Sequence, residues 1–379
     1  MKHRTFRAIL AFIAALMIFT AGALRVSAES SGEGMSEATA GIDTDGLYSA
    51  LPDDTREILD DSGITPSGGV DRVSVGDVLE FIVGLIKDSA AKPLKMLGTV
   101  TAVILLSSLL AGFSEASGKG AKTIYPLVTA AVSAVMISTY LSEIIRTAQT
   151  AFTAASDFML GYIPVIAGVT AISGHQASAA VFSSVTLSAI QILARLTAAV
   201  IIPLTSCMLG ITAAASVDPD LHLDRLSEGI KKAVIWGLGL IMTVFLGILS
   251  VQSIITASAD NAAMKTLKFA VSSAVPIVGG AVSDALSTVS GSLALMRTGI
   301  GGFGIAAGVC LLAPPVISAA CYSFSLFAAG VISDIFGCGQ TGKMIRSGES
   351  VMQVITASLS CFFLFITISS AILLVFCRS

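Results

Sequence analysis

Four ionisable side chains stand inside or beside otherwise apolar stretches of the sequence: His175, Arg195, Asp284 and Arg297. Arg195 is the single formal charge in residues 176–217. A charge at the centre of a bilayer costs from about 2.5 kcal/mol upward, so it needs a partner or water. Such residues can line a polar pathway for ions or polar solutes. Alternatively, each charge marks a turn at the membrane surface, and a turn near Arg195 splits its run into two helices.

Proline and glycine interrupt the same apolar stretches. Residues 161–176, GYIPVIAGVTAISGHQ, contain Pro164 and Gly168, and the stretch PIVGG contains Pro276 and Gly280. Broken helices in a membrane expose backbone groups that must line a cavity or contact protein. The pattern therefore predicts a transport site at these positions. The alternative is that proline and glycine kink membrane helices or let them pack closely.

The spacing of the prolines indicates a duplicated unit. A second proline, Pro203 or Pro315, follows 39 residues after the first proline of each half, and a charged connection and a long charge-free run come next. We predict two related membrane halves, parallel or inverted, unless the prolines agree by chance. In the second half, Asp284 and Arg297 divide the sequence into apolar pieces too short to cross a membrane comfortably, which favours a re-entrant hairpin.

No sequence motif predicts an enzyme. Residues 337–343, GCGQTGK, have the GxxxxGK skeleton of a phosphate-binding loop, but Met344 stands where serine or threonine holds magnesium. Apolar segments also flank the motif where that fold needs a strand and a helix, so we interpret it as a connecting loop. The chain has no HExxH or GxSxG motif. We expect no catalytic residues, no metal, no cofactor and no binding of nucleic acid.

The composition is that of a membrane protein. The 379-residue chain is 54% hydrophobic and 12% charged, with a mean hydropathy of +0.88, whereas soluble domains are about 25% charged. Most of its charge-free runs exceed the about 18 residues that span hydrocarbon as a helix. These runs are residues 96–114, 123–142, 158–194, 196–217, 233–259, 298–333 and 350–377. We predict an all-α polytopic integral membrane protein with six to ten spans.

The N-terminal segment has the features of an exported one. A basic start, an apolar stretch and small residues at 26–28 predict a signal peptide cleaved after Ala28, with an uncleaved signal anchor as the alternative. Residues 29–95 hold 14 acidic and 5 basic residues, and their opening is too poor in apolar residues to fold. From Asp77, apolar residues share one face of a helix that lies on the outer membrane surface, or packs on the protein, before Pro93 turns the chain inward.

These features predict Pro/Gly-broken helices in two related membrane halves, preceded by a signal peptide and an acidic extracytoplasmic segment. The predicted segments are a signal peptide (1–28), an acidic, largely disordered extracytoplasmic segment (29–76), an amphipathic interfacial helix (77–92), two transmembrane helices with flanking segments (93–157), membrane half 1 (158–260) and membrane half 2 (261–379).

Three stretches carry a resemblance to a known family: GYIPVIAGVTAISG, KKAVIWGLGLIMTVFLGILSVQ and TLKFAVSSAVPIVGGAVSDA. With the general layout they cover nearly all of residues 77–376, and the sequence resembles stage III sporulation protein AE of endospore-forming Firmicutes. The resemblance implies one of eight mother-cell proteins that, with a forespore partner, build a channel or feeding tube across the two membranes around the forespore. That apparatus supports late forespore gene expression. The resemblance implies no catalytic residues.

The resemblance favours a multi-pass component of that complex in the mother-cell (outer forespore) membrane, serving as its permease-like or export platform. The implied partners are the lipid bilayer, the other stage III sporulation proteins of the complex and a forespore membrane partner. The alternative function is a stand-alone secondary transporter of a small solute, with the matched broken helices around its binding site.

Overall fold

The computed structural model describes residues 44–65, 75–116, 121–214, 223–274 and 279–376. The regular structure of these residues is helical. Its elements are α1 Thr44–Ser49, α2 Asp53–Asp61, α3 Val75–Ala116, α4 Ala121–Ile172, α5 Gln176–Leu196, a π-helical turn Thr197–Ile201, α6 Ile202–Ala214, α7 Leu223–Ala274, α8 Gly279–Ile335 and α9 Gly339–Phe376. The predicted signal peptide, residues 1–28, lies outside the described residues.

Six helical stretches in the described part are long and apolar enough to cross a membrane. They are Glu80–Leu110, Val128–Ile172, Gln176–Ala214, Arg225–Gln252, Thr298–Ile335 and Thr341–Ile372. The prediction of an all-α polytopic membrane protein is confirmed, and the number found is the lower end of the predicted six to ten. All six exceed the about 20 residues that cross a hydrocarbon core upright, so they tilt or extend beyond it.

Helices α4, α7 and α9 run in the same direction. Where two of these helices contact each other, the residue numbers increase in the same direction along both. The pairs are Ser227 with Ser347, Phe245 with Phe365, Ile137 with Gly348, and Phe152 with Phe362. The three helices are therefore parallel.

Helices α3, α5–α6 and α8 run the opposite way. Where one of these helices contacts α4, α7 or α9, the residue numbers increase along one helix and decrease along the other. The pairs are Lys92 with Glu143, Ser107 with Thr129, Ala177 with Asp260, Thr212 with Ser347, Gly304 with Tyr162, and Tyr322 with Tyr140. The described bundle thus consists of three hairpins with one common direction: α3–α4, α5/α6–α7 and α8–α9. The hairpins of the two predicted halves are consequently parallel to each other and not inverted.

The α8–α9 hairpin is the core of the bundle. Within the most apolar window of each span, 78% of the residues of α8 and of α9 are buried, against 22–39% in the other four spans. Helices approach closely at Gly304 and Gly308, because a Cβ on Gly304 would strike the Tyr162 ring and one on Gly308 would lie 2.6 Å from Ile366 Cγ2. Two glycines one turn apart therefore admit side chains from α4 and α9.

Part of the acidic segment is folded, which differs from the prediction of a largely disordered stretch. Helices α1 and α2 and the turn between them bury Leu47, Leu51 and Leu59 against the bundle. Helix α1 contacts α4, and α2 contacts α8. The Tyr48 hydroxyl donates a hydrogen bond to the Asp60 carboxylate, which raises the pKa of Tyr48. Acidic residues occupy the outer surface of this hairpin, while its few leucines are buried. The acidic composition of the segment therefore suggested disorder although the hairpin folds against the bundle.

Helix α3 passes through Pro93 without ending. The predicted interfacial helix, residues 77–92, is therefore continuous with the span that follows it, and the predicted turn at Pro93 is wrong. Proline removes one backbone donor from a helix and costs about 3 kcal/mol in its interior. Helix α3 absorbs that loss because Pro93 and Met96 are buried in the bundle, and neighbouring helices sustain such breaks in membrane proteins.

The predicted break at Pro164 is also wrong, since α4 is helical from Ala121 to Ile172. Around the proline, Tyr162, Ile163 and Ile166 are fully buried, and their packing holds the helix. The chain turns ten residues later, at Gly174, whose φ of 92° is readily adopted by glycine. The first half consequently begins inside a helix and not at its boundary.

The second half contains no re-entrant hairpin between Asp284 and Arg297. The backbone of α8 is continuously helical from Gly279 to Ile335 and so passes through Gly280, Asp284 and Arg297. Two charges 13 residues apart were read as boundaries, but a charge does not break an α-helix. Pro276 lies outside the described residues, as do the side chains of Asp284 and Arg297.

Candidate functional site: the polar face of α4 and α5

Arg195 lies on the outer surface of the bundle. Its side chain is exposed, and it has 19 residues on either side within the span Gln176–Ala214. The alternative prediction of a turn near Arg195 is wrong, because α5 continues through the π-helical turn Thr197–Ile201 into α6. No hydrogen bond or ion pair joins the Arg195 side chain to another residue of the described part.

The π-helical turn after Arg195 has a local cause. Pro203 has no backbone N–H, and in a regular α-helix its ring would clash with the carbonyl four residues earlier. The Ile202 N–H bonds to the carbonyl of Thr197, five residues back, which widens the helix just before the proline. Such π-helical segments are frequent at functional sites.

Polar side chains also line the outer surface of α4 beside α5. We define the outer polar face as six exposed residues of these helices: Thr150, Thr153 and Asp157 of α4, and Ser188, Gln191 and Arg195 of α5. Helices α4 and α5 pack as an antiparallel pair joined by the turn at residues 173–175. Thr153 lies 20 residues before the start of that turn and Arg195 lies 20 residues after its end, so the two residues are level with each other.

The charges of this face lie level with the middle of the charge-free runs of α7 and α9. Phe245 and Phe365 meet at a centroid distance of 4.6 Å, near the centres of the charge-free residues 233–259 and 350–377. Ala177 is level with Asp260, and Thr212 is level with Ser347 and Ser227. Along α5–α6, Arg195 lies halfway between Ala177 and Thr212. Along α7, residues 243–244 lie halfway between their partners Asp260 and Ser227. Arg195 is therefore level with residues 243–244 and within about one helical turn of Phe245.

Asp157 reaches the same level from α4. Phe152 of α4 contacts Phe362 of the parallel helix α9 at a centroid distance of 4.7 Å. Asp157 comes five residues after Phe152, and Phe365 comes three residues after Phe362. At about 1.5 Å per residue, Asp157 is about 3 Å from the level of Phe365. The carboxylate is exposed and has no partner among the described side chains.

The outer surface of α7 is different in kind at this level. Its exposed large residues are apolar: Leu240, Val244, Ile248, Val251 and Ile255. Trp236, 72% exposed, lies four residues beyond Lys232, where an interfacial anchor is expected. Helix α7 is therefore suited to lipid, whereas the outer polar face is not.

Two shallow grooves border α4. One, of about 480 Å³, lies between the α1–α2 turn at Ala50–Pro52 and residues Gln149, Thr150, Thr153 and Asp157. The other, of about 470 Å³, lies between Ala213 of α6 and residues 131–142 of α4, including Ser138. The buried Ser138 hydroxyl has no hydrogen-bond partner among the described groups. Thr139 and Ser142 also line this groove, so the polar surface of α4 extends beyond the six residues that define the face.

The sequence analysis overlooked Asp260. This α7 carboxylate is 3% exposed, and its two oxygens accept hydrogen bonds from the N–H groups of Ala177 and Ser178, each at 3.0 Å. It therefore caps the start of α5, where the N-cap residue His175 provides no side-chain cap. A signal existed in the sequence, because Asp260 ends the charge-free run 233–259 and a carboxylate in such a place needs donors.

The predicted site residues do not converge on one site. Pro164 and Gly168 are exposed on α4 above Asp157, and His175 is half-buried at the turn into α5. Together with Arg195 they mark one side of the α4–α5 hairpin. The predicted counterparts in the second half are helical backbone at Gly280, Asp284 and Arg297, and nothing described joins them to Arg195.

Comparison with known proteins decides the family. The sequence profile of the stage III sporulation protein AE family matches residues 64–376. The chain belongs to the stage III sporulation protein AE family. Stage III sporulation protein AE of Bacillus subtilis (strain 168) is 25% identical over 247 residues, which are 65% of this chain and 62% of the relative. No solved structure matches.

The family match confirms the resemblance drawn from the three quoted stretches. The stage III sporulation protein AE segment contains α3 to α9 and therefore the whole outer polar face, while α1 and α2 precede it. It also contains the GxxxxGK sequence, where Gly337, with a φ of 69°, forms the turn between α8 and α9. Beside that turn, Arg346 donates hydrogen bonds to both Asp334 oxygens at 2.8 Å. Only residues 337 and 338 of the motif belong to this turn, and residues 339–343 form the start of α9, so the interpretation as a connecting loop holds for the first two residues alone.

Proposed function

We propose that this protein is a multi-pass component of a channel complex between mother cell and forespore, located in the mother-cell (outer forespore) membrane. In this role it supports late forespore gene expression. It acts as a permease-like or export platform around which other proteins assemble. The membership in a sporulation family and the six membrane-length helical stretches support the proposal.

The observation that carries the proposal is the placement of the polar surface outside the bundle. A stand-alone secondary transporter holds its solute between its own helices, near broken segments. Here α4 is unbroken at Pro164, and Arg195 and Asp157 are exposed on the outer face. Polar surface on membrane-length helices needs water or protein against it. A larger assembly supplies both.

The acidic α1–α2 hairpin is the proposed contact for partners in the space between the two membranes. Helix α2, with the sequence DDTREILDD, carries five acidic residues and one arginine. All five, Asp53, Asp54, Glu57, Asp60 and Asp61, are exposed. A basic surface on another stage III sporulation protein or on the forespore partner complements this charge and speeds encounter.

The proposed role is not enzymatic. Transport of cargo through the complex is the work of the assembly, and this chain contributes a membrane-embedded wall and a docking hairpin. The hydroxyls of the described spans mostly bond to carbonyls of their own helices, as Thr170 does to Ile166 at 2.7 Å. Such hydroxyls serve helix packing.

The test is isolation of the tagged protein from sporulating cells in mild detergent. We expect the other stage III sporulation proteins and a forespore membrane protein to co-isolate with it. Neutralising the acids of α2 (Asp53→Asn, Asp54→Asn, Glu57→Gln, Asp61→Asn) should reduce recovery of partners from the intermembrane space several-fold. The matched control is Glu80→Gln with Asp88→Asn, two exposed acids of α3, which should leave recovery unchanged.

Reconstitution distinguishes the alternative function. Recovery of this chain alone, together with solute uptake by the lone protein in liposomes, would contradict the channel-complex role and establish a stand-alone transporter. Failure of partners to co-isolate while liposomes show no uptake would also contradict the proposal.

A further inference from the structure

Buried polar side chains from four helices meet inside the bundle. Among the described residues, seven buried side-chain polar atoms have no hydrogen-bond partner, and five of them lie near one level. We define the inner polar layer as the residues that carry these five atoms: Tyr162 of α4, Thr186 of α5, Gln252 of α7, and Ser369 and Ser370 of α9. Apart from Gln252, which is half-buried, each is at most 1% exposed. A buried hydroxyl or amide oxygen is costly without a partner, so the layer requires one.

Contacts among α4, α8 and α9 place Tyr162 and Ser370 at one level. Gly304 of α8 lies directly against the Tyr162 hydroxyl, and Gly308 lies against Ile366 of α9. On the antiparallel helices α8 and α9, Gly304 and Ser370 are each four residues from that second contact in the same direction, so they are level. The Ser370 side chain also approaches the Tyr162 hydroxyl, but the two make no hydrogen bond of good geometry.

Gln252 of α7 lies close to the level of Ser369. Phe245 and Phe365 are in contact across the parallel helices α7 and α9. One turn after Phe365, Ser369 lies on the same face of α9, and two turns after Phe245, Gln252 lies on the same face of α7. Their heights differ by three residues, or about 4.5 Å. The long Gln252 side chain covers this difference, since side chains tilt towards the start of their helix.

Thr186 of α5 lies at the level of Gln252. It belongs to the buried stripe of α5 together with Phe182. The Ala177 N–H bonds to Asp260 across the antiparallel helices α5 and α7. Thr186 comes nine residues after Ala177, and Gln252 comes eight residues before Asp260, so their heights differ by about 1.5 Å. Because α5 contacts α4 and α7, which both contact α9, the four helices surround the inner polar layer.

The small hydroxyls of the layer are not used within their own helices. Buried hydroxyls elsewhere in the bundle donate to a carbonyl one turn earlier, as Thr356 does to Met352 at 2.8 Å. Thr186, Ser369 and Ser370 make no such bond to the described backbone. Their hydrogens are therefore available to a bound molecule, as is the acceptor Oε1 of Gln252.

The layer is uncharged, which restricts what it can bind. Within four residues of Gly304 and of each member of the layer, the sequence has no Asp, Glu, Lys, Arg or His. Burying an ion without an opposite charge is far costlier than burying a neutral molecule. Water donates two hydrogen bonds and accepts two, and a buried water typically makes about three bonds to polar groups that otherwise lack partners. Water therefore fits the layer better than an ion.

We propose that the inner polar layer is a binding site for buried water that bridges α4, α5, α7 and α9. Glycine at 304 and serine at 369 and 370 keep the side chains around the Tyr162 hydroxyl small. Water-mediated hydrogen bonds are nearly as favourable as direct ones, so the bound water ties the four helices together at one height. The layer is enclosed and thus distinct from the outer polar face. The inference is independent of the proposed function, which uses the outer surfaces.

The first test is hydroxyl-radical footprinting of the wild-type full chain in detergent. An X-ray pulse makes radicals from bound water as well as bulk water, so a buried side chain is oxidised where water lies against it. Mass spectrometry locates the oxidation. After correction for the intrinsic reactivity of each ring, we expect Tyr162 to be oxidised several-fold faster than Phe362, which is also fully buried and lies two turns before Ser370.

The second test is the sign of a stability change. Thr186→Val keeps the shape of the side chain and removes its hydroxyl. If that hydroxyl binds water, its bonds are lost and the midpoint of thermal unfolding should fall by a few degrees. A hydroxyl without any partner would give a rise instead, because valine has no polar group to desolvate. The matched control is Thr356→Val, which removes a buried hydroxyl bonded within its own helix and should change the midpoint little.

Three results would overturn the inference. The first is a midpoint for Thr186→Val equal to or above that of Thr356→Val. The second is equally slow oxidation of Tyr162 and Phe362, which together with a destabilising Thr186→Val would indicate direct hydrogen bonds between the helices. The third is a wild-type midpoint that is higher in sodium than in choline at equal ionic strength, with the difference lost in Thr186→Val, which would assign the layer to a cation.

Discussion

At the scale of single residues, Asp260 determines how α5 begins. Good N-caps are Ser, Thr, Asp and Asn, whereas the sequence has His175 at this position without a side-chain cap. The cap comes instead from α7, 83 residues further along the chain. Sequence reasoning identified Arg195 from its isolation among apolar residues but overlooked Asp260. The position of Asp260 at the end of the charge-free run 233–259 marks the carboxylate, but it does not reveal which helix the carboxylate caps.

We predict that Asp260→Ala lowers the free energy of unfolding by about 1–3 kcal/mol, because two buried N–H groups lose their acceptor. Asp260→Asn should cost less, since the amide oxygen still accepts one hydrogen bond while the favourable charge at the helix start is lost. Thermal unfolding in detergent, followed by circular dichroism, measures both changes. Asp88→Ala on the exposed part of α3 is the control, and an equal effect there would contradict the capping role.

At the scale of elements, charge-free runs predicted the membrane spans of α7 and α9 and the part of α8 after Arg297, because no charge interrupts residues 233–259, 298–333 and 350–377. They did not predict that α8 extends back to Gly279. The pattern failed on α4. Its charged residues and Pro164 suggested separate segments, yet packing keeps one helix of 52 residues. Intrinsic propensity is a weak guide when burial opposes it, and burial is a property of the bundle that a single sequence does not display.

We predict that Gly308→Ala destabilises the α8–α9 hairpin by about 1–3 kcal/mol, the usual cost of overpacking. The added Cβ would lie 2.6 Å from Cγ2 of Ile366, and a β-branched side chain has little freedom to move away. Gly239→Ala on α7 is the matched control, because nothing lies within 4 Å of its Cβ position.

The control should be neutral or gain about 0.5–1 kcal/mol from the helix preference of alanine over glycine. Unfolding curves of the two variants in the same detergent make the comparison. Equal destabilisation of the two variants would contradict a specific role for the α8–α9 contact at Gly308.

At the scale of the whole molecule, composition and family resemblance predicted the protein class and the link to sporulation, and both are confirmed. The matched breaks that led us to expect a pathway inside the bundle are absent at Pro164. The polar residues occupy the outer surface instead, and the hairpins share one direction. Which face of a helix points outward depends on how six spans pack, and the hydropathy of each span alone does not contain that information.

The central claim is that one side of the bundle meets water and the other meets lipid at the same depth. Thr153 on α4 and Val244 on α7 are a matched pair, since both are exposed and lie near the level of Phe245. Spin labels at Thr153→Cys and Val244→Cys, in a Cys207→Ser background that removes an exposed native thiol, report collisions with a water-soluble nickel complex and with oxygen. In membranes the account predicts nickel-dominated relaxation at residue 153 and oxygen-dominated relaxation at residue 244, whereas oxygen dominance at both would contradict it.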